Sequence, residues 1–178
     1  MKSKHHPILQ LVAVTALLLV SRAAMANFYF TGGAGVGVHD YTTNIGNGTA
    51  YKLGVGFIAP DQHFGVEASY FDLGDGYVPT APTGYLNISG GKFTATLQAR
   101  HRAMVFGGRL GFYSVNTTDS GVNTSVRSTG ITWGGTIGYH LSKYAVFYMD
   151  AVAYGSVELG GGGTETPVSV MFGIRVGM

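Results

Sequence analysis

The chain has 178 residues, a formal net charge of +2 and charged side chains at only 11% of positions, so it carries neither a basic stripe for nucleic acid nor an acidic tail. Cysteine is absent, which excludes disulfides and a lipid anchor on an N-terminal cysteine. Glycine is the anomaly: its 29 residues follow no three-residue period and collect in no single linker.

Residues 1–26 read as a targeting segment. The basic "MKSKHHP" precedes the apolar run "ILQLVAVTALLLV", and "SRAAMA" then sets Ala24 and Ala26 in the A-x-A arrangement. These parts predict a secretory signal peptide cleaved after Ala26, since the apolar run is well short of the roughly 20 residues a spanning helix needs. Residues 27–178 are then one exported domain.

Beyond Ala26 apolar and β-branched residues recur at period two, broken by Gly, Asn, Asp, Ser, Thr and Pro clusters, and no amphipathic helix is evident. Eight strand segments are predicted, at about 28–39, 50–59, 63–72, 91–100, 102–114, 127–141, 144–156 and 168–178. In the first, Phe28, Phe30, Ala34, Val36 and Val38 oppose Tyr29, Thr31, Gly33, Gly35, Gly37 and His39. In the second, Tyr51, Leu53, Val55 and Phe57 oppose Lys52, Gly54 and Gly56. The third sets Phe64, Val66, Ala68 and Tyr70 against Gly65, Glu67 and Ser69, and the fifth sets Phe106, Leu110 and Phe112 against Gly107, Arg109 and Gly111. The last alternates Val168, Val170, Phe172, Ile174, Val176 and Met178 with Ser169, Met171, Gly173, Arg175 and Gly177. Connections are short at "APDQH", "RHR" and "LSKY", and long and polar at 40–49, 72–91, 114–127 and 156–167. Tight turns at one end and long loops at the other describe an up-and-down antiparallel meander.

Periodicity alone does not say which face is inside. A soluble barrel must cover its exterior with solvated charge, yet the non-apolar positions are mostly Gly, Thr, Ser and Tyr. Small residues suit the crowded interior of an eight-stranded barrel, where glycine makes room for bulkier neighbours. The apolar face is therefore expected to point outward, into lipid. Closure pairs every backbone group in hydrocarbon without any cysteine. The predicted fold is an all-β, eight-stranded antiparallel up-and-down transmembrane β-barrel.

The chain resembles the small outer-membrane β-barrels of the OmpA/OmpX type. The motifs that carry the likeness are "YFTGGAGVGV", "GVEASYFDLG", "FGGRLGFY", "GGTIGYHLSKY" and "FGIRVGM", in order along the whole mature chain. The resemblance implies a bacterial outer-membrane protein, exported through the Sec pathway and inserted by the barrel-assembly machinery. It implies an assembly signal at Gly173, Val176 and Met178, with Met178 departing from the family's terminal aromatic. The peptidoglycan-binding domain of larger relatives is not expected.

Lys52, Glu67, Arg109, Asp150 and Arg175 fall on the expected lumen face. Unpaired charge is costly there, so an interior ion-pair network is predicted, with Asp150 as the partner of Arg175. Other constellations read as bland. "GGAGVG" at 32–37 fits no phosphate-loop spacing and reads as lumen lining. His140 and Ser142 have the spacing of barrel-type lipid A deacylases, but they sit at a short turn and Tyr154 occupies the downstream acid position. His39 and Asp40 lie at the outer rim, as in the palmitoyltransferase barrel, without a matching Asp-Ser pair. His39, His63, His101 and His140 fall in separate segments, so no metal site is read, and no cofactor is expected.

The expected function is a monomeric, non-enzymatic surface protein with a structural, adhesive or envelope-integrity role, a side-chain-plugged lumen and four external loops. Its partners would be outer-membrane lipid and lipopolysaccharide, the assembly machinery, and a host or surface ligand met by Tyr77, Tyr85 and Leu86 in the longest loop. The alternatives are a narrow pore or hydrophobic-compound conduit and, third, a lipid A-modifying enzyme.

Overall fold

The alternation of apolar and small residues builds one closed sheet. In the computed structural model, residues 27–41, 44–59, 63–77, 85–120, 123–159 and 163–177 are described, with only the backbone described at 40, 41, 44–47 and 77. The predicted signal segment 1–26 and Met178 lie outside them. The barrel strands are β1 (Asn27–Tyr41), β2 (Asn44–Ile58), β3 (Phe64–Tyr77), β4 (Tyr85–His101), β5 (Met104–Asp119), β6 (Thr124–His140), β7 (Ala145–Tyr154) and β10 (Val168–Gly177). Two short strands, β8 (Val157–Glu158) and β9 (Thr164–Glu165), form a separate hairpin. Each barrel strand pairs antiparallel with its chain neighbours, and β10 closes on β1 with Thr31 opposite Arg175 and Gly33 opposite Gly173. No edge is left to solvent or lipid.

The apolar face points outward. Leu97, Leu110 and Phe112 are each more than 60% exposed, and Phe30, Leu53, Phe93, Ile131, Trp133 and Phe172 share that surface. Such a contiguous apolar band has lipid as its natural solvent.

Inside, glycine yields its space to rings. A Cβ at Gly173 would stand 2.6 Å from the Tyr148 hydroxyl, and one at Gly56 would collide with the Tyr29 ring. Each ring therefore lies across a neighbouring strand where no side chain larger than hydrogen fits.

Three of the four segments predicted as long loops differ from expectation, because the ladders run on into them, while 156–167 stays outside the barrel ladder and carries the β8–β9 hairpin. Pairing of β1 with β2 continues to Tyr41–Asn44, and β5 with β6 to Asp119–Thr124. Pairing of β3 with β4 reaches Tyr77–Tyr85 after a bulge between Asp72 and Asp75. At the bulge Gly74 takes a φ of +76° and donates its N–H to Asp72 Oδ1 at 2.7 Å. Once register is set lower down, polar residues extend it with no apolar outer face.

In this upper part the polarity inverts. Leu73, Leu86, Ile88 and Val115 point inward and join Phe71, Tyr113, Tyr154 and Val157 in a buried apolar cluster. The expectation that Leu86 is a surface contact is corrected: it is fully buried in that cluster, because its position in β4 has the same parity as inward-facing Lys92.

Candidate functional site

The strands bring four charged side chains to one level of the interior. Lys52 on β2 donates from Nζ to Asp150 Oδ2 at 2.8 Å and to Glu67 Oε1 at 3.1 Å. Arg109 on β5 lies across from it, 3.2 Å from Asp150 Oδ2 and 3.3 Å from Glu67 Oε1. Two cations and two carboxylates thus alternate in a ring, all four buried and formally neutral together. Each carboxylate is shared, so removing any member strands a buried charge of the opposite sign.

Two further cations flank this quartet and rest on aromatic rings. Arg175 does not meet Asp150 as expected: the register puts Arg175 opposite Val146, while Asp150 faces Met171 four residues away. Among the described residues it forms no ion pair, and its guanidinium lies 4.5 Å from the Tyr29 ring centroid. Tyr29 donates its hydroxyl to Glu67 Oε2 at 3.3 Å, which links the stacked arginine to the quartet. On the other side Lys92 donates to the Tyr154 hydroxyl at 3.1 Å and lies over the Phe71 and Tyr154 rings. Sequence reasoning missed Lys92, although its parity with Thr94 and Thr96 marks it as inward.

Above these layers the β8–β9 hairpin folds into the barrel mouth. Gly155 donates its N–H to the Ile131 carbonyl at 2.8 Å, Glu158 donates its N–H to Ser128 Oγ at 2.9 Å, and Val157 is fully buried. Glu165 meets His39 Nδ1 at 3.0 Å with both side chains buried, a second missed pair. Its signal in the sequence is only the inward parity of His39.

The Asp40 side chain beside His39 lies outside the described residues, and at the β6–β7 turn the described residues do not form the arrangement an acid-completed His140–Ser142 pair would need. Ser142 Oγ accepts the Tyr144 N–H at 3.1 Å within its turn, while Tyr154 sits inside against Lys92. Of the assembly-signal residues, Gly173 faces the lumen under Tyr148 and Val176 faces outward. Tyr85 is exposed, and the side chain of Tyr77 lies outside the described residues.

A closed eight-stranded sheet with an apolar exterior and a charged, glycine-relieved interior is the architecture of a small outer-membrane β-barrel. Three solved structures share it. Neisserial surface protein A matches with a TM-score of 0.63 at 14% identity, over 85% of this chain and 97% of its own. Ail, the attachment invasion locus protein of Yersinia pestis, solved with the heparin analogue sucrose octasulfate, matches at 0.60 and 11%, over 86% and 99%. A major outer membrane protein from Thermus thermophilus matches at 0.52 and 15%, also over 86% and 99%. No family model and no curated protein matches the chain.

Proposed function

We propose that the protein is a monomeric, non-enzymatic surface protein of the bacterial outer membrane, its lumen plugged by its own side chains and its extended strand ends offered to the exterior. The observation that carries this is the stacking of three interior layers: the charge quartet, the apolar cluster and the β8–β9 hairpin. The exposed apolar band supports membrane residence, with short turns on the periplasmic side and the extended strands outside. Residues 1–26 would be removed on export, which a mass measurement of the mature protein checks. Gly173 and Val176, with Met178, would serve the assembly machinery as the closing strand.

An adhesive or envelope-integrity role is the finer reading. It draws on the likeness to Ail, and on Tyr85 and Arg127 being exposed at the upper end of the barrel. Planar-bilayer recording of the purified protein tests the plug: no steady single-channel steps are expected, and such steps would overturn it in favour of a narrow pore. Lipid A from cells with and without the protein should have the same acyl-chain number by mass spectrometry. A change would make it a lipid-modifying enzyme instead.

A further inference from the structure

Inside the barrel a Cβ at most glycines would meet a ring or a neighbouring backbone, as at Gly56, Gly173 and Gly111, whereas the cross-strand pair Gly108 and Gly135 on the outer face makes room for nothing in the barrel. Gly108 on β5 and Gly135 on β6 stand directly opposite each other in the sheet register and point toward lipid. A Cβ at Gly108 would meet nothing within 4 Å, and one at Gly135 only the Gly107 carbonyl at 3.6 Å. Neither has a positive φ. Glycine weakens a strand, and nothing in the barrel's own packing asks for it here. What the pair creates is space: a groove of about 730 Å³, walled by Leu97, Ala99, Phe106 and Ile137.

The ends of this groove point to its occupant. Ala99 and Phe106 are two residues from the β4–β5 turn, where Arg102 is exposed. The β6–β7 turn beside it carries exposed Lys143 over the Tyr144 ring at 4.5 Å. Neither turn contains an acid. Gly108 is four residues above Met104, roughly 10 Å from the turn along a tilted strand, a depth that belongs to the acyl region of the leaflet on the short-turn side. An apolar groove below the membrane surface with cations at its lip is complementary to one molecule class, a phospholipid with a negatively charged phosphate.

We propose that the β5–β6 face is an ordered phospholipid site of the periplasmic leaflet: one acyl chain lies over Gly108 and Gly135, and the phosphate is held at the turns bearing Arg102 and Lys143. The site rests on the barrel spanning the membrane, and a heat-modifiable gel shift checks that separately for every variant.

Native mass spectrometry of the intact barrel, released from detergent in the presence of phosphatidylglycerol, tests it. One lipid is expected to stay bound. Gly135→Leu should lower the bound fraction about tenfold, the loss expected when roughly two methylene groups no longer fit the groove. Gly108→Leu should do the same should Gly135→Leu fail to fold. Arg102→Gln should lower retention about fivefold, as one cation near a phosphate surface implies. Gly32→Leu, the same change on the lipid face of β1, should leave it unchanged. Equal retention in Gly135→Leu and Gly32→Leu would overturn the proposal. So would a dimer peak lost on Gly135→Leu, which would make the occupant a second copy of this chain.

Discussion

The lower and upper halves of this barrel solve the same packing problem with opposite polarity. In the half banded by Leu53, Phe93 and Leu110, apolar side chains face outward and the interior is held by Lys52, Glu67, Arg109 and Asp150. In the half above it, Asn87, Ser114 and Arg127 point outward, while Leu73, Leu86, Ile88 and Val115 form an ordinary buried core. Apart from the β3 bulge after Asp72, the strands run straight through, so parity along each is preserved and only the chemistry of the two faces is exchanged. The exchange shows that each half answers to its own solvent: lipid cannot hydrate charge, and water expels leucine.

Removing one member of the quartet should have the largest effect. Asp150→Ala leaves Lys52 and Arg109 sharing Glu67 alone and should cost about 3–5 kcal/mol, the usual penalty for stranding a buried charge. Urea unfolding of the vesicle-inserted barrel, followed by the single Trp133, measures it. The balanced double change Lys52→Met with Asp150→Leu keeps the Arg109–Glu67 pair and should recover most of the loss. If the double is as unstable as the single, the ring is not held by charge balance.

Leu86→Ala attacks the other half. It opens a cavity in the apolar cluster and should cost about 2–4 kcal/mol. Its signature should differ, because the lower half stays intact. The heat-modifiable shift should persist while the extended strand ends become sensitive to added protease. Loss of both together would show that the two halves unfold as one unit.

This division also explains what was legible beforehand. The lower half could be read because apolar residues keep one phase over seven or eight positions, as at Phe93, Ala95 and Leu97, and because Lys52, Glu67, Arg109 and Asp150 occupy the other phase. The upper half could not be read that way. Leu73, Leu86 and Ile88 sit alone within polar strings, and their phase is opposite to that of Tyr70 and Phe93. Each string therefore reads as loop, and Leu86 as a surface contact. Alternation that continues past Tyr70 and Phe93 in the reversed phase is the signal that would have found these strand extensions. Arg175 differs in kind. Its facing direction follows from parity, but its partner depends on the stagger between β7 and β10, which no single strand records.

Intermediate effects are expected where the two halves meet their ends. Arg175→Ala removes a cation stacked on Tyr29 without stranding an acid, so it should insert normally and cost about 1–2 kcal/mol in the same urea assay. Glu165→Gln should weaken the His39 contact that holds the β8–β9 hairpin, by about 1–2 kcal/mol, since the amide still accepts one hydrogen bond. Hydrogen exchange at the Glu158 amide, which is bonded to Ser128 Oγ, should accelerate while amides of the lower strands do not.

The smallest effect sharpens the comparison most, because it sets neighbours against each other. Tyr85 and Leu86 are adjacent in β4, one 46% exposed and the other fully buried. The backbone at Tyr85 is tied to Ser120, whose Oγ accepts the Tyr85 N–H at 2.7 Å, and that bond survives truncation of the ring. Tyr85→Ala should therefore shift stability by no more than about 0.5 kcal/mol, as for other surface positions. Leu86→Ala, one residue away, removes atoms from the core. If Tyr85→Ala proved as costly as Leu86→Ala, the ring would have to be buried against something outside the barrel. The upper half would then not be the water-facing domain that its reversed pattern describes.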